Sequence, residues 1–138
     1  MTTVSDMPKT GGVKVASAAG ATGLLVLLVG VGHVLLAGLL FADQFASIAS
    51  AGVLGSIPFG ERASDEAAAI WFTVNGVLLV TLGQLARLDQ RLGRTLPASP
   101  GWLLIGLGAI GAAVAPVSGF YVYIVLGTLW VSDSRDRA

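Results

Sequence analysis

The sequence predicts an all-α integral membrane protein, a four-helix bundle in a single domain. Charged residues make up 12% of its 138 residues and hydrophobic residues 54%, whereas about 25% of a typical soluble domain is charged. A helix of roughly 20 apolar residues crosses a hydrocarbon core about 30 Å thick. Three long segments contain no Asp, Glu, Lys or Arg, namely those between Lys14 and Asp43, between Glu66 and Arg87, and between Arg94 and Asp133.

The lengths of these segments predict four transmembrane helices. The first two segments fit one helix each, at about 16–42 and 66–88. The third segment, from 95 to 132, holds 38 residues, close to twice the length of one span. Pro116 and Gly119 interrupt it, and proline ends a helix where glycine favours a turn. We therefore expect two further spans at about 99–115 and 119–133, so that residues 16–133 form one transmembrane domain.

Residues 1–15 have little apolar content and predict a disordered cytoplasmic tail. An alternative interpretation makes the first apolar segment a cleaved signal peptide, with Lys9 and Lys14 as its basic region and Ala49-Ser50-Ala51 as its cleavage site. Signal cores run for about 7–15 apolar residues, and this segment is about twice as long. We therefore prefer a transmembrane helix.

The connection between the first two spans predicts a short amphipathic helix along the outer membrane surface. Its apolar face consists of residues at helical spacing, Phe41, Phe45, Ile48 and Gly52. An irregular loop is the alternative. In the inner turn, Ser99 is expected to be the N-cap of the third span and Pro100 its first helical residue.

The distribution of basic residues predicts the orientation, because Lys and Arg favour the cytoplasmic side. With four spans, only Arg62 lies on the outer side. The other seven basic residues then share the inner side: Lys9, Lys14, Arg87, Arg91, Arg94, Arg135 and Arg137. A single bent third span would move the last two outside. We therefore expect both termini in the cytoplasm.

Three local patterns on this helical frame resemble those of a known family. They are Gly32-His33-x-x-x-x-Gly38, Trp71-Phe72 followed by Gly76, and Pro116-x-Ser118-Gly119-Phe120, and they occur together with Asp43-Gln44. In order and spacing they resemble the domain-of-unknown-function 6463 family of small bacterial membrane proteins, over about residues 20 to 131. The resemblance implies a multi-pass protein of the bacterial inner (plasma) membrane with four helices. It implies no activity.

Polar side chains inside the predicted spans are the candidate functional residues, because such groups usually face other helices or a cavity. His33 lies about 12 Å below the outer end of the first span, and Asn75 lies about 13–14 Å below the outer start of the second. The two residues are therefore at nearly the same depth. The predicted ligand-binding cluster in the outer half consists of His33, Trp71, Asn75, Ser118 and Tyr121.

Three functions compete for this cluster. The preferred one is a helix-packing or scaffold-like membrane component, in which His33 and Asn75 hold helices together. The second is a binder or carrier of a small apolar or lipid-like molecule. The third is a small membrane enzyme with His33 as acid or base, which the lack of a nearby carboxylate weakens. We name no catalytic residue.

Several classes of site are excluded by composition. The chain has no cysteine and one histidine, too few ligands for a zinc site, which needs three or four. We therefore expect no metal and no cofactor. A formal net charge of zero argues against nucleic-acid binding. The expected partners are the lipid bilayer, a small apolar ligand, and a second copy or another membrane protein.

The stretch from Gly106 to Gly111 matches the dinucleotide-binding pattern G-x-G-x-x-G. That site requires a following helix and a second parallel strand, yet Pro116 comes only a few residues later. In a transmembrane helix, small residues on one face allow close helix approach. We expect such a helix-packing face to consist of Gly108, Gly111, Ala112 and Ala115.

Overall fold

The computed structural model describes residues 21–52 and 64–136, and within these ranges it is all-α with no strand. Five helices follow one another along the chain: α1 (Thr22–Leu40), α2 (Ala42–Ser50), α3 (Ser64–Arg91), α4 (Ser99–Val114) and α5 (Phe120–Arg135). The predicted tail 1–15, and residues 16–20 of the first predicted span, lie outside the described residues.

The helix boundaries follow the chain's turn-forming residues. Gly52 after α2 and Gly93 after α3 have positive φ angles of 92° and 68°, a conformation that glycine adopts without steric cost. α4 ends two residues before Pro116. The prediction for Ser99 is wrong. Ala98 is the N-cap and makes no side-chain capping bond, so Ser99 itself is the first helical residue.

The four long helices pack as two antiparallel pairs, α1 with α3 and α4 with α5. In the first pair, a Cβ added at Gly30 would lie 2.5 Å from the backbone nitrogen of Val80 and 2.9 Å from the carbonyl oxygen of Gly76. In the second pair, a Cβ added at Gly127 would lie 2.5 Å from the carbonyl oxygen of Gly101. Both pairs are therefore joined by backbone-to-backbone contact at glycines.

A narrow core lies along and between these pairs, and the largest fully buried side chains in it are Val26 and Trp130. Around this core, large apolar side chains point outward: Leu39 is 78% exposed and Val114 is 81% exposed. A soluble domain of this size would cover such a surface with charged groups. Here the outward faces of α1, α3, α4 and α5 carry leucine, valine, isoleucine and aromatic residues.

Within the part of the chain that the structure describes, two helices are long and apolar enough to cross a membrane, Thr22–Leu40 and Asp65–Arg91. Helix α4 is also apolar but shorter, with 16 residues. α2 packs against the beginning of α3, where Ser47 Oγ donates a hydrogen bond to Glu66 Oε1 at 3.4 Å. Ile48 is the buried residue of α2.

Gly30 and Gly32 provide a matched test of the α1–α3 contact, because they lie two residues apart on the same helix. A Cβ at Gly32 would meet no atom within 4 Å. Alanine gains about 1 kcal/mol over glycine in a helix, whereas overpacking typically costs about 1–3 kcal/mol. We expect Gly30→Ala to lower the midpoint of thermal unfolding in detergent, and Gly32→Ala to leave it unchanged or raise it. Equal shifts of the unfolding midpoint in the two variants would contradict a close backbone contact between Gly30 and α3.

Candidate functional site

A hydrogen bond between two helices involves one of the five predicted ligand-binding residues, Asn75. Asn75, half-buried on α3, donates through Nδ2 to the hydroxyl oxygen of Tyr123 on α5. Tyr123 is only 5% exposed, so this bond lies among apolar side chains. Because α3 belongs to one helix pair and α5 to the other, the bond connects the two pairs. Tyr123 was not among the predicted site residues.

His33 lies at about the depth of Asn75, but its contact is with an aromatic ring of α3. Its ring stacks on that of Phe72, with centroids 3.9 Å apart and an interplanar angle of 14°. Phe41 lies on the same Phe72 ring, at a centroid distance of 5.6 Å and an angle of 54°. These three rings join the C-terminal end of α1 to α3. His33 therefore belongs to an aromatic cluster of the α1–α3 pair.

The remaining three predicted ligand-binding residues are dispersed. Ser118 Oγ donates to the carbonyl oxygen of Ala115 at 2.5 Å and accepts from the backbone N–H of Phe120 at 3.5 Å, so it closes the turn between α4 and α5. Trp71 is 71% exposed and Tyr121 is 52% exposed. The structure thus divides the five residues among a buried hydrogen bond, an aromatic stack, a turn and the outer surface.

The predicted packing face of α4 lies partly against α5. A Cβ at Gly108 would lie 2.7 Å from Ile124 Cγ1 and 2.9 Å from the carbonyl oxygen of Phe120, and one at Gly111 would overlap the Phe120 ring. Ala112 and Ala115 are half-buried. A Cβ at Gly106 would meet no atom within 4 Å.

A second polar cluster, at the opposite end of the molecule, was missed by the sequence analysis. Asp133 on α5 is only 4% exposed, and its Oδ2 accepts a hydrogen bond of 2.9 Å from Gln90 Nε2 on α3. Gln90 also lies beside α1, because a Cβ at Gly23 would be 2.9 Å from Gln90 Oε1. These residues therefore connect α1, α3 and α5 at one level.

Trp130 holds the α3–α4 connection at the same end of the molecule as Asp133 and Gln90. Its indole Nε1 donates to the carbonyl oxygen of Pro97 at 2.8 Å, and Leu96 is buried beside it in the core. Nearby, Arg94 and Asp89 form an exposed ion pair at 3.7 Å, which contributes little to stability because solvent screens it.

The described residues do not assemble a metal site. Within residues 21–52 and 64–136, no group of three or more His, Cys, Asp or Glu side chains is placed to hold an ion. Every buried side-chain nitrogen or oxygen in these ranges has a hydrogen-bond partner. The buried polar atoms in these ranges are therefore already engaged with one another or with the backbone.

Comparison with known families places the sequence in one of them. The sequence model of a family of unknown function (DUF6463) matches residues 18–137, nearly the whole chain. No curated protein and no solved structure matches the chain.

The Asn75–Tyr123 bond can be measured with a double-mutant cycle. Hydrogen bonds between membrane helices average about 0.6 kcal/mol and reach about 1.7 kcal/mol. We expect Tyr123→Phe and Asn75→Leu each to lower the free energy of unfolding, with a coupling energy within that range. Tyr121→Phe is the matched control, because Tyr121 lies exposed on the same helix. A coupling energy near zero, or an equal loss in the control, would contradict an energetic role for this bond.

Proposed function

The chain belongs to this family of unknown function, and we propose that it is a multi-pass membrane protein in which α1, α3, α4 and α5 form a four-helix transmembrane bundle with a helix-packing, scaffold-like role. The observation that carries the proposal is the inverted surface of the molecule. Its large apolar side chains point outward, while its helices meet through glycines. Such an arrangement is favourable where hydrocarbon, not water, surrounds the protein.

Hydroxyl groups on the helices support this environment. Three threonines donate to the carbonyl oxygen four residues earlier in their own helix: Thr73 to Ala69 at 2.8 Å, Thr81 to Val77 at 2.9 Å, and Thr128 to Ile124 at 2.7 Å. Thr81 and Thr128 lie on exposed faces. In a bilayer core, polar groups must be satisfied internally because no water is available. These bonds meet that requirement.

The helix lengths are consistent with four spans, of which α4 and α5 are the two shorter ones. At 1.5 Å per residue, α1 is about 28 Å long, α3 about 42 Å, and α4 and α5 about 24 Å each. A span shorter than the hydrocarbon core is accommodated by local thinning of the bilayer.

The orientation we propose places the start of α3 and the α4–α5 turn outside. The ends of α3 and α5 then face the cytoplasm, with Arg87, Arg91 and Arg135 near that surface, as the positive-inside bias requires. α2 lies at the outer surface beside the start of α3. The proposed location is the bacterial plasma membrane.

The engagement of the polar groups favours a packing role over a carrier or an enzyme. The Asn75 amide is bonded to Tyr123 and the His33 ring is covered on one face by Phe72. Both interactions hold helices together, which is the common use of polar residues inside membranes. A small apolar molecule that co-purified with the wild-type protein, and was lost from both His33→Ala and Asn75→Leu, would favour the carrier instead.

The topology can be tested with single cysteines, because the chain contains none. The three variants are Ser50→Cys in α2, Val117→Cys in the α4–α5 turn and Thr95→Cys in the α3–α4 connection, all at exposed positions. We expect a membrane-impermeant maleimide to label the first two on intact spheroplasts. Thr95→Cys should react only after the membrane is opened, which also controls for its reactivity.

Two outcomes would contradict parts of this topology. Labelling of Val117→Cys only after the membrane is opened would show that the α4–α5 hairpin does not cross. Labelling of Thr95→Cys alone on intact spheroplasts would reverse the orientation.

A further inference from the structure

A groove of about 620 Å³ lies between the beginning of α4 and the end of α5. It lies beside the α4–α5 contact, because a Cβ added at Gly127 would meet Ile105 and one added at Gly101 would meet Val131. Its more buried lining residues are Ile105 and Val131, and its exposed ones are Trp102, Thr128, Ser132, Arg135 and Asp136. The volume is in the range of small-molecule sites, roughly 300–1,000 Å³.

The lining changes from apolar to charged along the helix axes. Thr128, the first lining residue of α5 in chain order, lies seven residues before Arg135, a distance of about 10 Å along the helix. The Thr128 hydroxyl is occupied by the carbonyl oxygen of Ile124, so this end of the groove offers an apolar surface. In the proposed orientation the charged end lies at the cytoplasmic surface, where tryptophans such as Trp102 are enriched. The gradient suits an amphiphile with its headgroup at the surface.

The two charges at the rim have opposite signs and are adjacent in sequence. A guanidinium group such as that of Arg135 binds phosphate oxygens with charge-assisted hydrogen bonds. The carboxylate of Asp136 accepts hydrogen bonds from an ammonium group and repels a second anion. A headgroup that carries both a phosphate and a primary ammonium satisfies the two side chains together. A purely anionic headgroup satisfies only Arg135, and a quaternary ammonium has no N–H to donate to Asp136.

From this charge complementarity we propose that the groove binds a phospholipid with a phosphoethanolamine headgroup. Arg135 and Ser132 contact the phosphate, Asp136 accepts from the ammonium, and an acyl chain lies along Ile105 and Val131. The proposal rests on the proposed function, because it requires this end of α4 and α5 to lie at a membrane surface.

Native mass spectrometry of the full-length protein in detergent tests the site. Phosphatidylethanolamine, phosphatidylglycerol and phosphatidylcholine with identical acyl chains are added in equal amounts. We expect the wild-type protein to retain phosphatidylethanolamine about fivefold over each of the others, the scale of one partly exposed charge pair. The Arg135→Gln variant should no longer retain phosphatidylethanolamine in preference to the other two lipids. The Asp136→Asn variant should shift the preference towards phosphatidylglycerol.

Arg94→Gln is the matched control, because Arg94 is an exposed arginine at the same end of the molecule but outside the groove. It should leave the preference unchanged. Equal retention of the three lipids, a wild-type preference for phosphatidylglycerol, or an equal loss in Arg94→Gln would overturn the inference. Any of these results with the cysteine-labelling pattern intact would refute only the lipid site. Failure of the labelling pattern itself would refute the proposed membrane topology.

Discussion

Close backbone contact at glycines is the constraint on which the rest of the structure depends. Gly23, Gly30, Gly76 and Gly83 bring α1 and α3 together, and Gly101, Gly108, Gly111 and Gly127 do the same for α4 and α5. In a soluble bundle the helices would be held by burying large side chains from water. Here most of the large side chains face outward, so van der Waals contact between closely approaching helices must supply the cohesion. The outward apolar surface and the narrow core both follow from these close helix contacts at glycines.

Two hydrogen bonds then join the glycine-lined pairs into one unit, and both run from α3 to α5. Asn75 bonds to Tyr123 towards one end, and Gln90 bonds to Asp133 towards the other. On α3 the two donors are 15 residues apart, about 22 Å along the axis. Apolar core residues such as Leu79, Leu126 and Trp130 lie in the cluster between the helices. α3 thus supplies both of these hydrogen bonds, and α1, which is packed on α3, also contacts α5.

Helix number and position were predictable from the sequence, but the partners of individual side chains were not. Charge-free segments and Pro116 locate the long helices because charges and proline are both costly inside a span. Depth along a helix follows from residue number, so Asn75 and His33 were expected at one level. The rotation of each helix about its axis does not follow from residue number. The bond from Asn75 to Tyr123 and the stacking of His33 on Phe72 were therefore not predictable. Asp133 was taken as the end of a span, yet α5 continues to Arg135 and buries it against Gln90.

The central claim is that the outward apolar faces lie in lipid hydrocarbon, and the three tryptophans of the chain test it most directly. Trp71 and Trp102 are exposed, whereas Trp130 is only 2% exposed. Three single-tryptophan variants, with phenylalanine at the other two positions, are reconstituted in vesicles whose acyl chains carry bromine. We expect bromine to quench the fluorescence of Trp71 and Trp102 strongly and that of Trp130 weakly, with little quenching of Trp71 by aqueous iodide. Strong iodide quenching of Trp71 and Trp102, with no effect of brominated chains, would contradict the account.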